Sequence, residues 1–197
     1  MLQAHISIVF HLPEALLFWT VYVWVSVSEF LLIRKSERSP SYSQDAGTLR
    51  LIMIGNQVAI FAGFAASFLP WFATPWPGVF FIFGTCMLLG GGILRRVCFR
   101  VLGKYFTVAV TVNSDQPVIE HGPYRWVRHP SYTAYFMILL GIGIALGNWL
   151  SIVILFVVPC FVFGRRVQAE EKALLETIGE PYRAYMSRTK RFIPFVV

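Results

Sequence analysis

Apolar runs of about 20 residues, bounded by charge, proline or glycine, mark candidate membrane helices, and this chain contains five. They extend from about Pro13 to Ile33, Leu51 to Phe72, Pro77 to Leu94, Ser131 to Leu146 and Trp149 to Phe163. The last two are short, and Gly147-Asn148 between them suits a tight helical hairpin. Beyond Phe163 the periodicity persists but turns amphipathic, with Arg165, Arg166, Glu170, Glu171, Lys172 and Glu176 interleaved with Val167, Ala169, Ala173, Leu174, Leu175 and Ile178. The fifth helix is therefore expected to run on until Gly179 stops it. Pro181 then opens another amphipathic helix, carrying Tyr182 and Tyr185 and ending near Arg188. The predicted fold is all-α: one polytopic membrane domain over 1–197 with five transmembrane helices, the last two a hairpin.

Small residues recur where helices could meet. Gly55, Ala59 and Gly63 in span two, and Gly143 and Gly147 in span four, are spaced by four. The triplet Gly90-Gly91-Gly92 weakens a helix without being needed for contact, and predicts a bend or room for a ligand. Span one, with Trp19, Tyr22 and Trp24, reads as a peripheral lipid-facing helix. Arg96, Arg100 and Lys104 recur every four residues beside Val97, Val101 and Phe106, so the third helix is expected to continue into the interface with its cations snorkelling. The segment from Tyr105 to Val112 alternates weakly, and Asn113 to Pro117 reads as a turn. A connection of this length is more than a passive linker.

Composition agrees with the pattern: 56% of the 197 residues are hydrophobic and 14% charged, too apolar for a soluble domain. All 17 Lys and Arg residues fall after span one, after span three or after span five, so one side of the membrane holds every one. The positive-inside rule then predicts the N-terminus outside, with the C-terminus and the polar segments cytoplasmic. The N-terminal apolar run lacks a basic lead and is followed by Arg34 and Lys35, so it reads as a retained span rather than a cleaved signal. A net charge of +7 sets orientation and favours anionic lipid headgroups; nucleic acid is not an expected partner, and no obligate protein partner is evident. Cys86, Cys98 and Cys160 stand apart from one another and from any histidine at ligand spacing, so no metal site and no disulfide framework is predicted.

The stretch HGPYRWVRHPSYTAY, His121 to Tyr135, sets two Arg, two His and three Tyr against a membrane span. Polar groups at such depth are expensive, which makes the cluster a functional candidate. Arg166 and Glu170 share one helix face where helix five leaves the bilayer, and the antiparallel hairpin brings them level with His129 and Tyr132. A carboxylate can receive an ammonium group, an arginine can clamp a carboxylate, and aromatic rings can stack on a base. Pro130 fits the first turn of helix four, His129 or Ser131 could cap it, and its free N–H groups suit an anion.

In order along the chain, LGKYFTVAV from Leu102, PVIEHGPYRWVRHPSY from Pro117, GNW at Gly147, RVQAEE at Arg166 and GEPYRAYMSRTKRFIP from Gly179 resemble the isoprenylcysteine carboxyl methyltransferase family. The resemblance covers Leu102 to Pro194, about half the chain, and leaves spans one and two without a family signal. It implies an integral membrane enzyme using S-adenosylmethionine, without the glycine loop of soluble methyltransferases, and the chain has no GxGxxG. By that resemblance, Gln116, Pro117, Val118, Ile119, Tyr124, His129, Pro130, Ser131, Tyr132 and Glu170 would hold the cofactor, and Arg166 would face the substrate carboxylate. Arg166 and Glu170 are thus the expected catalytic pair. Gln116-Pro117 departs from the family pattern, and Pro117 has no N–H to offer. The methyltransferase core would occupy 77–197, with spans one and two (1–74) peripheral. A lipidic or prenylated acceptor would enter from the bilayer and the cofactor from the cytosol.

Three rivals stay open at this point. A phospholipid, amine or thiol methyltransferase would share the C-terminal signature, but an amine or thiol acceptor wants a nearby base. A sterol-reductase-like enzyme would use NADPH on a scaffold with more spans. A small transporter or structural subunit would use the cluster as a polar path, yet the sequence predicts no ionisable residue buried in mid-span.

Overall fold

A computed structural model describes residues 7–36, 48–106 and 117–193. Among them the regular elements are six α-helices and short 3-10 turns. The helices are α1 (Glu14–Ser36), α2 (Thr48–Ala66), α3 (Pro77–Leu102), α4 (Pro130–Ala145), α5 (Trp149–Thr177) and α6 (Glu180–Arg188). The weak alternation past Phe106 and most of the expected turn, Gln116 included, lie outside the described residues.

Among the described residues, four segments are long and apolar enough to cross a membrane: Glu14–Arg34, Thr48–Ala66, Pro77–Tyr105 and Trp149–Thr177. The fifth expected span, α4, has 16 residues. At about 1.5 Å per residue it falls short of a hydrocarbon layer roughly 30 Å thick. Its length is set by packing instead, because α4 is held between α3 and α5 and buries Ala134, Ile138, Leu139, Ile142 and Ala145 there. Helix α5 has the opposite property: its 29 residues exceed what a crossing needs, so its last turns stand beyond the apolar layer.

The α3–α4 crossing depends on glycines that a four-residue pattern does not reveal. A Cβ at Gly84 would lie 2.6 Å from the Gly141 carbonyl oxygen, and one at Gly141 would lie 2.6 Å from the Leu88 nitrogen. One at Gly91 would lie 2.8 Å from the Ala134 carbonyl oxygen, and one at Gly92 would meet Val25 of α1 at 2.7 Å. The glycine triplet thus serves close packing at Gly91 and Gly92; α3 stays helical through it while two neighbours close in. Gly55 and Gly63 do act as expected, receiving Val162 and Leu155 of α5. Gly147 is not part of the α4 stripe. It sits past the helix end at φ +64, the left-handed conformation that glycine adopts without strain.

That turn is tied down at what the charge map makes the outer end. The Asn148 side chain caps α5 by accepting from the Leu150 and Ser151 amides at 3.0 and 3.2 Å, and its own amide donates to the Leu69 carbonyl at 3.0 Å. The Thr74 amide and hydroxyl both donate to the Gly147 carbonyl, and the Ser7 hydroxyl donates to that of Leu146. Helix α1 presents Leu16, Leu17, Val27 and Leu31 outward and turns Phe18 and Val25 into the core. Arg96 does not snorkel: its guanidinium lies 3.9 Å from the Trp24 ring centroid and donates to the Ser28 hydroxyl, fastening α3 to α1.

Candidate functional site

At the other end, the antiparallel α4–α5 hairpin brings the first turn of α4 against the last turns of α5. Pro130 occupies the start of α4, where its missing N–H costs nothing. Neither His129 nor Ser131 caps the helix with its side chain; His129 is the N-cap residue, but its imidazole faces elsewhere. The Tyr132 hydroxyl donates to Glu170 Oε2 at 2.8 Å and accepts from Arg166 Nε at 3.2 Å. Arg166 is buried, and its Nη1 donates to the Thr48 hydroxyl at 2.8 Å, so α2 joins the site. The helical spacing of Arg166 and Glu170 thus acts as expected, with Tyr132 as the bridge between them.

His129 pairs with the next carboxylate. Its Nε2 lies 3.3 Å from Glu171 Oε1, which also accepts from Arg128 Nε at 3.0 Å. Arg191 holds the second oxygen through Nε and Nη2 at 3.0 and 2.8 Å. Consecutive helix positions point about 100° apart, which is how Glu170 and Glu171 serve separate clusters. Arg191 belongs to a strap after α6 that laces to the loop before α4: the Arg128 amide donates to the Lys190 carbonyl at 2.7 Å and the His129 amide to that of Arg191 at 3.0 Å. The Thr133 hydroxyl donates to the Phe192 carbonyl, and Arg128 Nη1 to the carbonyls of Met186 and Thr189.

Three phenols line this region. Tyr185 donates to the Tyr124 carbonyl at 2.6 Å, joining α6 to the turn Gly122–Arg125. Tyr124 and Tyr182 are buried, and burial pushes the phenols of Tyr124, Tyr182 and Tyr185 up, so all three stay neutral donors. The Tyr182 hydroxyl has no hydrogen-bond partner among the described residues and stands in the field of Glu171 and Glu170. Of the other expected contacts, Pro117 is exposed and Val118 and Ile119 are half-buried. No described hydrogen bond or ion pair joins these three to Tyr132, Arg166 or Glu170. Sequence reasoning missed roles for Arg128, Glu171, Arg191 and Thr48; only the doubled Glu in RVQAEE hinted at a second cluster.

Fold and site define a class: a polytopic all-α membrane protein whose polar cluster lies at the open end of a helical hairpin. Residues 83–176, a little under half of the chain, match the isoprenylcysteine carboxyl methyltransferase (ICMT) family. The chain's curated relatives include a protein-S-isoprenylcysteine O-methyltransferase of Tribolium castaneum, 33% identical over 57% of this chain and 41% of that one. The A form of the enzyme in Arabidopsis thaliana is 32% identical over 58% and 59%, and that of Saccharomyces cerevisiae 32% over 58% and 49%. The chain spans about half the length of these relatives. A solved structure, described as the eukaryotic intramembrane Ras methyltransferase ICMT without a monobody, superposes with a TM-score of 0.65 at 26% identity. That superposition covers 97% of this chain and 70% of the other.

Proposed function

We propose that this protein is a membrane-embedded methyltransferase that moves a methyl group from S-adenosylmethionine to the carboxylate of a lipid-modified acceptor, with S-prenylcysteine as the substrate class. The observation that carries the reading is the Tyr132 hydroxyl joined to both Arg166 and Glu170, in a segment that matches the methyltransferase family. One cation and one carboxylate are thus held side by side by a neutral phenol.

The donor set suits the cofactor: the Glu170 carboxylate for its ammonium group, the first turn of α4 for its carboxylate, and Tyr124 and Tyr182 for its polar rim. When bound, S-adenosylmethionine supplies an electrophilic methyl group on a sulfonium. Arg166 aligns the acceptor carboxylate, and Glu170 and Tyr132 hold the amino-acid end of the cofactor. A carboxylate needs no general base to attack a sulfonium methyl. Positioning therefore supplies the rate, and it can contribute roughly 7–11 kcal/mol. This favours a carboxylate over an amine or thiol, which would need a base next to a site headed by a buried arginine.

In this reading α4 counts as a fifth crossing and the N-terminus lies outside, with the site and C-terminus cytoplasmic. Segment 77–197 forms the transferase core, and spans one and two flank it. The acceptor comes laterally from the bilayer and the cofactor from the cytosol. The test is methyl transfer from labelled S-adenosylmethionine to an S-prenylcysteine in the reconstituted protein, with calorimetry against NADPH as the rival ligand. Arg166→Ala is expected to lower transfer by about a hundredfold or more. Full transfer by Arg166→Ala and Glu170→Ala, or binding of NADPH in place of S-adenosylmethionine, overturns the reading.

A further inference from the structure

Away from the clusters of Glu170 and Glu171, a further charged pair among the described residues is drawn inside the helix bundle. Arg95 of α3 donates through Nε to Glu29 of α1 at 2.6 Å, and the two side chains are only 12% and 14% exposed. The same guanidinium donates through Nη1 to the Ser131 carbonyl at 2.9 Å and lies over the Phe99 and Tyr135 rings at 4.5 and 4.6 Å. Ser131 is the residue between Pro130 and Tyr132, so the donor reaches the backbone of the turn that presents Tyr132 to Arg166 and Glu170.

We infer that Glu29 and Arg95 are positioning residues: Glu29 of α1 orients the Arg95 guanidinium, which anchors the first turn of α4 and thereby sets the geometry of Tyr132. The inference rests on the proposed function only where it concerns the cofactor. A simpler fastening of α1 to α3 needs no bond to Ser131, and Arg96 already supplies such a link through Trp24 and Ser28. Lysine at position 95 could not reproduce the arrangement. The planar fork points one edge at the carboxylate and another N–H at the carbonyl while its face covers two rings. Glu29 lies outside the family-matched segment, so this bond brings a residue of span one to bear on the site.

Two readouts on the full chain in detergent test this: amide hydrogen exchange of residues 130–135 without ligand, and binding of S-adenosylmethionine by calorimetry. In Glu29→Gln, exchange in 130–135 accelerates and the Kd rises roughly three- to thirtyfold, the range for residues that act on a ligand without touching it. Because that variant strands a buried cation and can simply unfold, Glu29→Gln/Arg95→Met provides the decisive arm. It removes both charges, so thermal stability returns toward wild type, while fast exchange and weak binding persist. Recovery of stability together with slow exchange and tight binding overturns the inference, as does Glu29→Gln losing stability with exchange in 130–135 unmoved relative to the other helices. If the wild type binds no S-adenosylmethionine, the cofactor reading fails, and the exchange data still decide the anchor.

Discussion

Glu170 and Glu171 are adjacent in the chain and on the same helix, yet their surroundings are opposites. Glu171 is surrounded by Arg128, His129 and Arg191, which together address both of its oxygens. Glu170 accepts from a neutral phenol, Tyr132, with Arg166 on the far side of that phenol. A carboxylate whose acceptor positions are already taken by cations holds structure together. One supported by a neutral donor keeps capacity for an incoming ammonium group. The contrast teaches that charge alone does not identify a binding residue; the unspent hydrogen-bonding capacity around it does.

Substitutions can break that comparison. The largest effect is expected from Glu171→Ala, which leaves two guanidinium groups and an imidazole facing a gap. Removing one partner of a buried pair costs about 3–5 kcal/mol, read as a large fall in thermal midpoint, with strap and loop parting before the helices melt. Glu170→Gln should instead leave the melting curve close to wild type. It should weaken S-adenosylmethionine binding by about 1.5–3 kcal/mol in calorimetry, the worth of a hydrogen bond to a charged group. If the two variants exchange phenotypes, the division of labour is wrong. Tyr132→Phe removes a hydroxyl bonded to two charged groups; a loss of about 1.5–3 kcal/mol is expected, appearing in kcat or KM rather than in stability.

How much could be read beforehand followed the range of the interaction. The helices were legible, since apolar length and the 3.6-residue period are local properties of the chain. That Arg166 and Glu170 share a helix face was legible for the same reason, and the hairpin placed Tyr132 beside them. Glu171 and Arg191 are 20 residues apart, Glu29 and Arg95 are 66 apart, and Arg166 and Thr48 are 118 apart. No periodicity reports such partners. The α3–α4 crossing was missed for a different reason. Gly84 and Gly91 lie seven residues apart, two turns of one face, and a search at four-residue spacing passes over them.

That crossing has a consequence for the bilayer. A helix as short as α4 cannot find its own depth by matching its apolar length to the lipid, because it is shorter than the layer. Gly84 and Gly141 leave no room for a side chain between the two backbones, so α4 cannot slide along α3 without collision. The long helix takes its level from the membrane and carries the short one with it. Tyr132 therefore holds a fixed height relative to α3 whether the surrounding lipid is thick or thin. The membrane can tilt the pair but cannot slide Tyr132 along α3.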